Sequence, residues 1–260
     1  METYPFTSAL VTGASSGIGE AMAHLLGQAG IPTVVVARRT DRLEELAKRY
    51  PSFEVLSADL NSAEGLAAVE QRILSVTSPI DLVVNNAGFG TSGLFHEIEP
   101  DRLHDEISLN VQALTRLSNA ALRAMLPRGR GFLLNVSSVA SFQSAPRLAV
   151  YAATKAYVTS LTESLHEEVR GTGVHVTALC PGLTKTEFQS VSSTEAYATS
   201  FPGFVWLKVD EVAAAGLADV AKGKALSVPG AIYKGLASIA GVTPRGLTRR
   251  LSSMVQRNPK

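Results

Sequence analysis

The chain is poor in features that mark a secreted, metal-bound or membrane-spanning protein. It holds one cysteine, Cys180, in 260 residues, which excludes an intrachain disulfide and any multi-cysteine metal centre. That usage fits a reducing, cytoplasmic setting. No apolar run nears the ~18 residues needed to span a bilayer. The opening stretch "METYPFTSALVTGASSG" lacks a basic leader and runs straight into a glycine turn, so it reads as fold rather than as a cleaved signal. Charge of one sign is scarce: 24 Lys and Arg stand against 23 Asp and Glu, a net +1. No global field therefore recruits nucleic acid. Internal repeats and low-complexity tracts are missing as well.

What is present is a compact-domain composition, 45% hydrophobic and 18% charged, long enough to bury a substantial core. Short apolar runs ("TSALVT", "IPTVVVA", "FEVLSA", "IDLVVNNAG", "GFLLNVSS", "VHVTALCPG", "KALSVPG") alternate with helical patterns. This predicts an α/β fold, a doubly wound (Rossmann) parallel sheet of about seven strands with helices on both faces. No composition break divides residues 1–260, so a single domain is expected. Helices are expected near 17–29, 42–50, 63–76, 100–125, 151–170 and 210–222.

Three local patterns carry chemistry. Tyr151 and Lys155 in "YAATK" stand four apart, neighbours on one helix face. A lysine cation beside a phenol, at the positive end of a helix, favours the phenolate and lowers its pKa, which describes a tuned acid/base. After the first strand, "TGASSGIG" places Gly13, Gly17 and Gly19 where backbone N–H groups can approach a pyrophosphate at a helix start. Its G-x-x-x-G-x-G spacing departs from the common G-x-G-x-x-G fingerprint. The second strand ends at Arg38 and Arg39 with no carboxylate, which favours a 2′-phosphate and hence NADP(H) over NAD(H).

Taken in order, "TGASSGIG", "NNAG" (85–88), Asn110, "NVSS" (135–138), "YAATK" and "PGLTKT" (181–186) resemble the short-chain dehydrogenase/reductase family in its single-domain form, over 6–227. The resemblance implies roles by position. Tyr151 would be the acid in reduction and the base in oxidation, with Lys155 lowering its pKa and holding the nicotinamide ribose. Ser138, with Ser137 as the alternative, would polarise the substrate carbonyl. Asn110 would maintain a water-linked proton relay. Gly13, Ser15, Ile18 and Gly19 match the pyrophosphate turn, and Asp59 an adenine contact. Asn86, Ala87 and Gly88 match the segment on the adenine-side ribose; Pro181, Gly182 and Thr186 border the nicotinamide. The expected activity is NADP(H)-dependent interconversion of a carbonyl and an alcohol, with no metal. An NADP(H)-binding sensor without turnover is the alternative. A dimer or tetramer through the long helices is also implied.

In the family the region after "PG" forms a flap, here 184–207, with Phe188, Tyr197, Phe201, Phe204 and Trp206. With Phe89, Leu94, Phe95 and Phe142 these aromatic and apolar residues suggest an apolar pocket for a small hydrophobic ketone, aldehyde or alcohol, or packing of the flap itself. The segment 229–260 carries Lys234, Arg245, Arg249, Arg250 and Arg257 among apolar residues. It reads as a basic helical segment that packs on its own domain, covers a subunit or makes a peripheral membrane contact.

Overall fold

A computed structural model describes residues 4–192 and 202–242. Seven parallel strands form one sheet: β1 (Ala9–Thr12), β2 (Thr33–Ala37), β3 (Glu54–Ser57), β4 (Leu82–Asn85), β5 (Gly131–Val136), β6 (Val174–Leu179) and β7 (Leu226–Ser227), in the order β3-β2-β1-β4-β5-β6-β7. The fold class expected from the alternating pattern is the one observed. Strand side chains alternate between faces, and here both faces are apolar and covered. Val11, Val84 and Leu134 pack with Met22, Leu26, Leu217 and Val220 on one side. Their chain neighbours Leu10, Val83 and Leu133 pack with Val69, Ile73, Leu117 and Met125 on the other.

The covering helices are α1 (Gly17–Gln28), α2 (Thr40–Arg49), α3 (Ala63–Ile73), α4 (Pro100–Ile107), α5 (Leu114–Met125) and α6 (Ala149–Glu168). They are followed by the short α7 (Phe188–Val191), α8 (Val209–Ala221) and α9 (Ala231–Val242). The continuous helix expected over 100–125 is interrupted. A π turn, Ser108–Ala113, joins α4 to α5, where the side chain of Asn110 engages the backbone of Phe89. Such wide turns are typically found at functional positions. The helix bearing Tyr151 begins earlier than expected, at Ala149, so Tyr151 lies in its first turn.

The strand order reverses between β1 and β4, and in open α/β sheets the crevice beyond the carboxyl ends at this switch is where ligands bind. The glycine turn follows β1, and Asn85 to Gly88 end and follow β4. Ser137 and Ser138 follow β5, and Pro181 and Gly182 follow β6. Topology alone therefore gathers the sequence motifs along one edge. Of the expected flap segment, Thr184 and Leu207 form a parallel bridge. Tyr197, Phe201, Arg245, Arg249, Arg250 and Arg257 lie outside the described residues.

Candidate active site

The glycine turn is packed so tightly that side chains are excluded. Gly13 has φ +66° and Gly17 φ +59°, left-handed conformations that suit glycine; a Cβ on Gly13 would meet Asn86 Nδ2 at 2.7 Å. The first residue before α1, Ser16, makes no side-chain cap, so N–H groups at the helix start remain for an anion. Ile18 anchors this start against the core. Thr12 ties the turn to the end of β4: its hydroxyl accepts from the N–H groups of Asn86 and Ala87, both at 3.0 Å, and donates to Val84 O at 3.2 Å. Asn86 Nδ2 donates back to Thr12 O at 2.9 Å.

Arg38 and Arg39 are exposed at the end of β2. Arg39 reaches across the turn, its Nε donating to Ser15 Oγ at 3.2 Å and Nη2 to Ser15 O at 3.1 Å, while Nη1 lies 2.9 Å from Glu187 Oε2 at the start of α7. Thr186 also rests on the turn, its side chain 3.2 Å from where a Gly17 Cβ would stand. Asp59 is exposed and accepts from Asn61 N at 3.0 Å, forming the loop that leads to the Ser62 cap of α3.

The serine, tyrosine and lysine come together at the ends of β5 and α6. Ser137 is buried and bound to Lys155 O at 2.9 Å and to the Thr159 hydroxyl at 2.7 Å. Ser138 is partly exposed; its hydroxyl accepts from Ala140 N at 3.1 Å and acts to lower the pKa of the Tyr151 phenol. Lys155 is buried, its Nζ donating to Val136 O at 2.8 Å and lying 5.8 Å from the Tyr151 ring centroid. Asn110 clamps Phe89, accepting from its N–H at 3.1 Å and donating to its carbonyl at 2.7 Å and to Thr154 Oγ1 at 3.2 Å. Gly88 lets this clamp close: a Cβ there would meet Asn110 Oδ1 at 2.8 Å and Lys155 Nζ at 3.6 Å.

The electrostatics correct one expectation. In the protein alone Tyr151 is not lowered: burial pushes the phenol up to about 12, against the Ser138 hydroxyl, with the Glu106 carboxylate adding to the rise. Burial pushes Lys155 down to about 8, with Cys180 and Glu106 acting the other way. Desolvation is thus the largest influence on both groups.

Phe188 lies 5.4 Å from the Tyr151 ring, centroid to centroid, and both border Gly90. The other apolar residues disperse. Phe89 sits under Arg102, Phe204 is exposed, and Phe95 joins Ile107, Val111 and Ala153 around a groove of about 370 Å³ that includes neither Ser138 nor Tyr151. Beyond β6, Val139 N donates to Pro181 O at 3.0 Å. Gly182 faces the ring of the buried Tyr233, whose hydroxyl accepts from Leu183 N at 3.1 Å and donates to Val205 O at 2.8 Å.

Sequence reasoning missed Thr12, Glu106 and Tyr233. A lone polar residue in the apolar run "ALVT" signalled the first. The four-residue spacing of Glu106 from Asn110 signalled the second. Nothing marked Tyr233.

A sheet with this switch point, a glycine cradle and a Tyr/Lys/Ser cluster around a buried lysine define a dinucleotide-dependent oxidoreductase. The family model for short chain dehydrogenases matches residues 7–196, and the chain belongs to that family, whose members use NAD(P)(H). An oxidoreductase of Staphylococcus epidermidis is 33% identical over 219 residues, covering 78% of this chain and 94% of its own. A short-chain dehydrogenase from Sphingobium yanoikuyae, solved with NADPH, superposes with a TM-score of 0.82 at 32% identity, covering 96% of this chain and 95% of the other. The bulky-bulky ketone specific alcohol dehydrogenase from Comamonas testosteroni gives 0.77 at 29% identity, covering 96% and 94%. Among the described residues no helix is long and apolar enough to cross a membrane, and no group of side chains could hold a metal.

Proposed function

We propose that the protein is an NADP(H)-dependent oxidoreductase interconverting a hydrophobic ketone or aldehyde and its alcohol, with Tyr151 as the acid/base. The observation that carries this reading is the convergence of the Ser138 hydroxyl and the Tyr151 phenol beside buried Lys155. Two hydroxyls aimed at one carbonyl oxygen stabilise the charge that develops there. A phenol that burial holds protonated is ready to donate, which suits reduction.

The cofactor would be held by the turn at Gly13, Ser15, Gly17, Ile18 and Gly19, by Asn86 to Gly88, and by Pro181, Gly182 and Thr186. Arg38 and Arg39 would take the 2′-phosphate, with Asp59 toward the adenine. When bound, the dinucleotide exchanges the hydride and, oxidised, brings positive charge near the phenol. In that setting Lys155 holds ribose hydroxyls and favours phenolate, Asn110 fixes the segment from Gly88 to Phe89, and Phe188 closes an apolar wall over the reacting carbonyl. The relative described as specific for bulky-bulky ketones supports a hydrophobic substrate. A single cytoplasmic domain assembled as a homodimer or homotetramer completes the reading.

The test is fluorescence titration with NADPH and NADH, followed by turnover on a panel of apolar ketones and aldehydes. Tight NADPH binding with turnover is expected. Preference for NADH would remove the role given to Arg38 and Arg39, and binding without turnover would point to a sensor.

A further inference from the structure

Arg102, Glu106 and Asn110 follow one another at intervals of four along α4 and the π turn, so they project from one side. All serve the strip of chain after Gly88. Arg102 lies 4.1 Å from the Phe89 ring centroid and donates to Thr91 Oγ1 at 3.3 Å, and Asn110 clamps Phe89. Between them Glu106 is fully buried, and neither of its carboxylate oxygens has a properly formed hydrogen bond among the described residues. The groups that act on it are the Thr91 hydroxyl from the loop, Arg102 from its own helix and Lys155 from α6; its own charge acts in turn on Tyr151. A buried acid without partners is strongly unfavourable, and a glutamine would fill the same space without ionising. Here the unfavourable group stands within electrostatic reach of both the phenol and the ammonium of the proposed mechanism.

We propose that Glu106 is a positioning residue of the reaction that acts through Lys155, its carboxylate holding the proton on the lysine Nζ and thereby coupling dinucleotide binding and turnover to pH. Burial pushes the Glu106 carboxyl up to about 7, against the Thr91 hydroxyl, Arg102 and Lys155. Lys155 stands at about 8. As pH rises through the first value, one proton leaves Glu106 for solvent and the remaining carboxylate favours the ammonium. It also disfavours loss of the Tyr151 proton. The two ionisations belong to the coupled pair.

The inference rests on the roles given above to Tyr151 and Lys155. The experiment compares wild type with Glu106→Gln and Glu106→Asp, measuring the pH dependence of NADPH affinity and of kcat/KM with NADPH varied, which reports the cofactor-free enzyme. In Glu106→Gln the inflection near neutrality disappears and the alkaline one moves down by about half a unit or more. Glu106→Asp keeps both inflections. A uniform loss across pH with unmoved inflections, or no change, overturns the proposal. If Glu106→Gln does not fold, infrared difference spectra of wild type decide: the carbonyl stretch of a protonated buried carboxyl should vanish between about pH 6 and pH 8, and its absence overturns the proposal. A wild type that binds no dinucleotide sinks the functional reading instead, and the infrared measurement still decides whether Glu106 titrates as required.

Discussion

Asp81 and Glu106 are both carboxylates taken out of water, at opposite edges of the sheet, and their surroundings treat them in opposite ways. Asp81, just before β4, accepts from Thr7 N at 3.0 Å, from the Thr7 hydroxyl at 2.5 Å and from Arg130 at 3.2 Å. Burial alone would raise its pKa, but Thr7 and Arg130 outweigh burial and hold the carboxyl below its usual value. Around Glu106 burial prevails. The amino edge completes its hydrogen bonds and ties the chain start to the sheet. The carboxyl edge leaves ionisable groups incompletely satisfied where the chemistry is proposed, the pattern expected of a site that tunes pKa values.

The sharpest test of that contrast is Tyr151→Phe, which removes only a hydroxyl from the carboxyl edge. Turnover should fall by ~10²- to 10⁴-fold, with NADPH affinity and melting temperature near wild type. Near-normal turnover would remove the proposed mechanism.

The next two substitutions should move stability in opposite directions. Asp81→Asn should cost about 2 kcal/mol in denaturant unfolding at neutral pH, with kcat unchanged. Because the folded pKa lies below the unfolded value near 3.8, the wild-type advantage exists above that value and is lost as pH falls through the folded one. For Glu106 the sign reverses. The folded group keeps its proton up to about 7 whereas the unfolded one loses it near 4.5, so wild-type stability declines across that window. Glu106→Gln should therefore be the more stable protein at pH 8, by on the order of 3 kcal/mol, and gain nothing below pH 4.5. A destabilised Glu106→Gln at pH 8 would break the comparison.

The smallest effect belongs to the exposed pair of Arg39 and Glu187. Surface pairs are worth up to about 1 kcal/mol. Glu187→Gln should free Arg39 and tighten NADPH binding no more than about fivefold, an effect that shrinks with added salt.

Much of this was legible in the sequence for definite reasons. Unbroken apolar runs such as "TVVVA" announce strands covered on both faces, and the ends of those strands carry the polar motifs that the switch point brings together. The expectation of Ser138 over Ser137 rested on position; what position could not tell is that the Ser137 hydroxyl is engaged by Lys155 O and Thr159. The phenol's pKa was not legible, because a four-residue spacing reports proximity but not desolvation. Nor was the π turn, since the pattern over 100–125 is helical throughout and gives no sign that Asn110 bonds the Phe89 backbone from within it. Nor was the dispersal of the apolar residues from one expected pocket, for Phe89 and Phe95 are close in sequence but turn to different partners.

Tyr233 links two segments that are far apart in the chain. One phenol oxygen holds Leu183 and Val205, and Leu207 N donates to Leu183 O at 2.8 Å beside them. Both feet of the intervening chain are thus fastened to the body. The two feet therefore share a single fastening, and Tyr233→Phe should loosen Leu183 and Val205 together while leaving Ser138, Tyr151 and Lys155 where they stand.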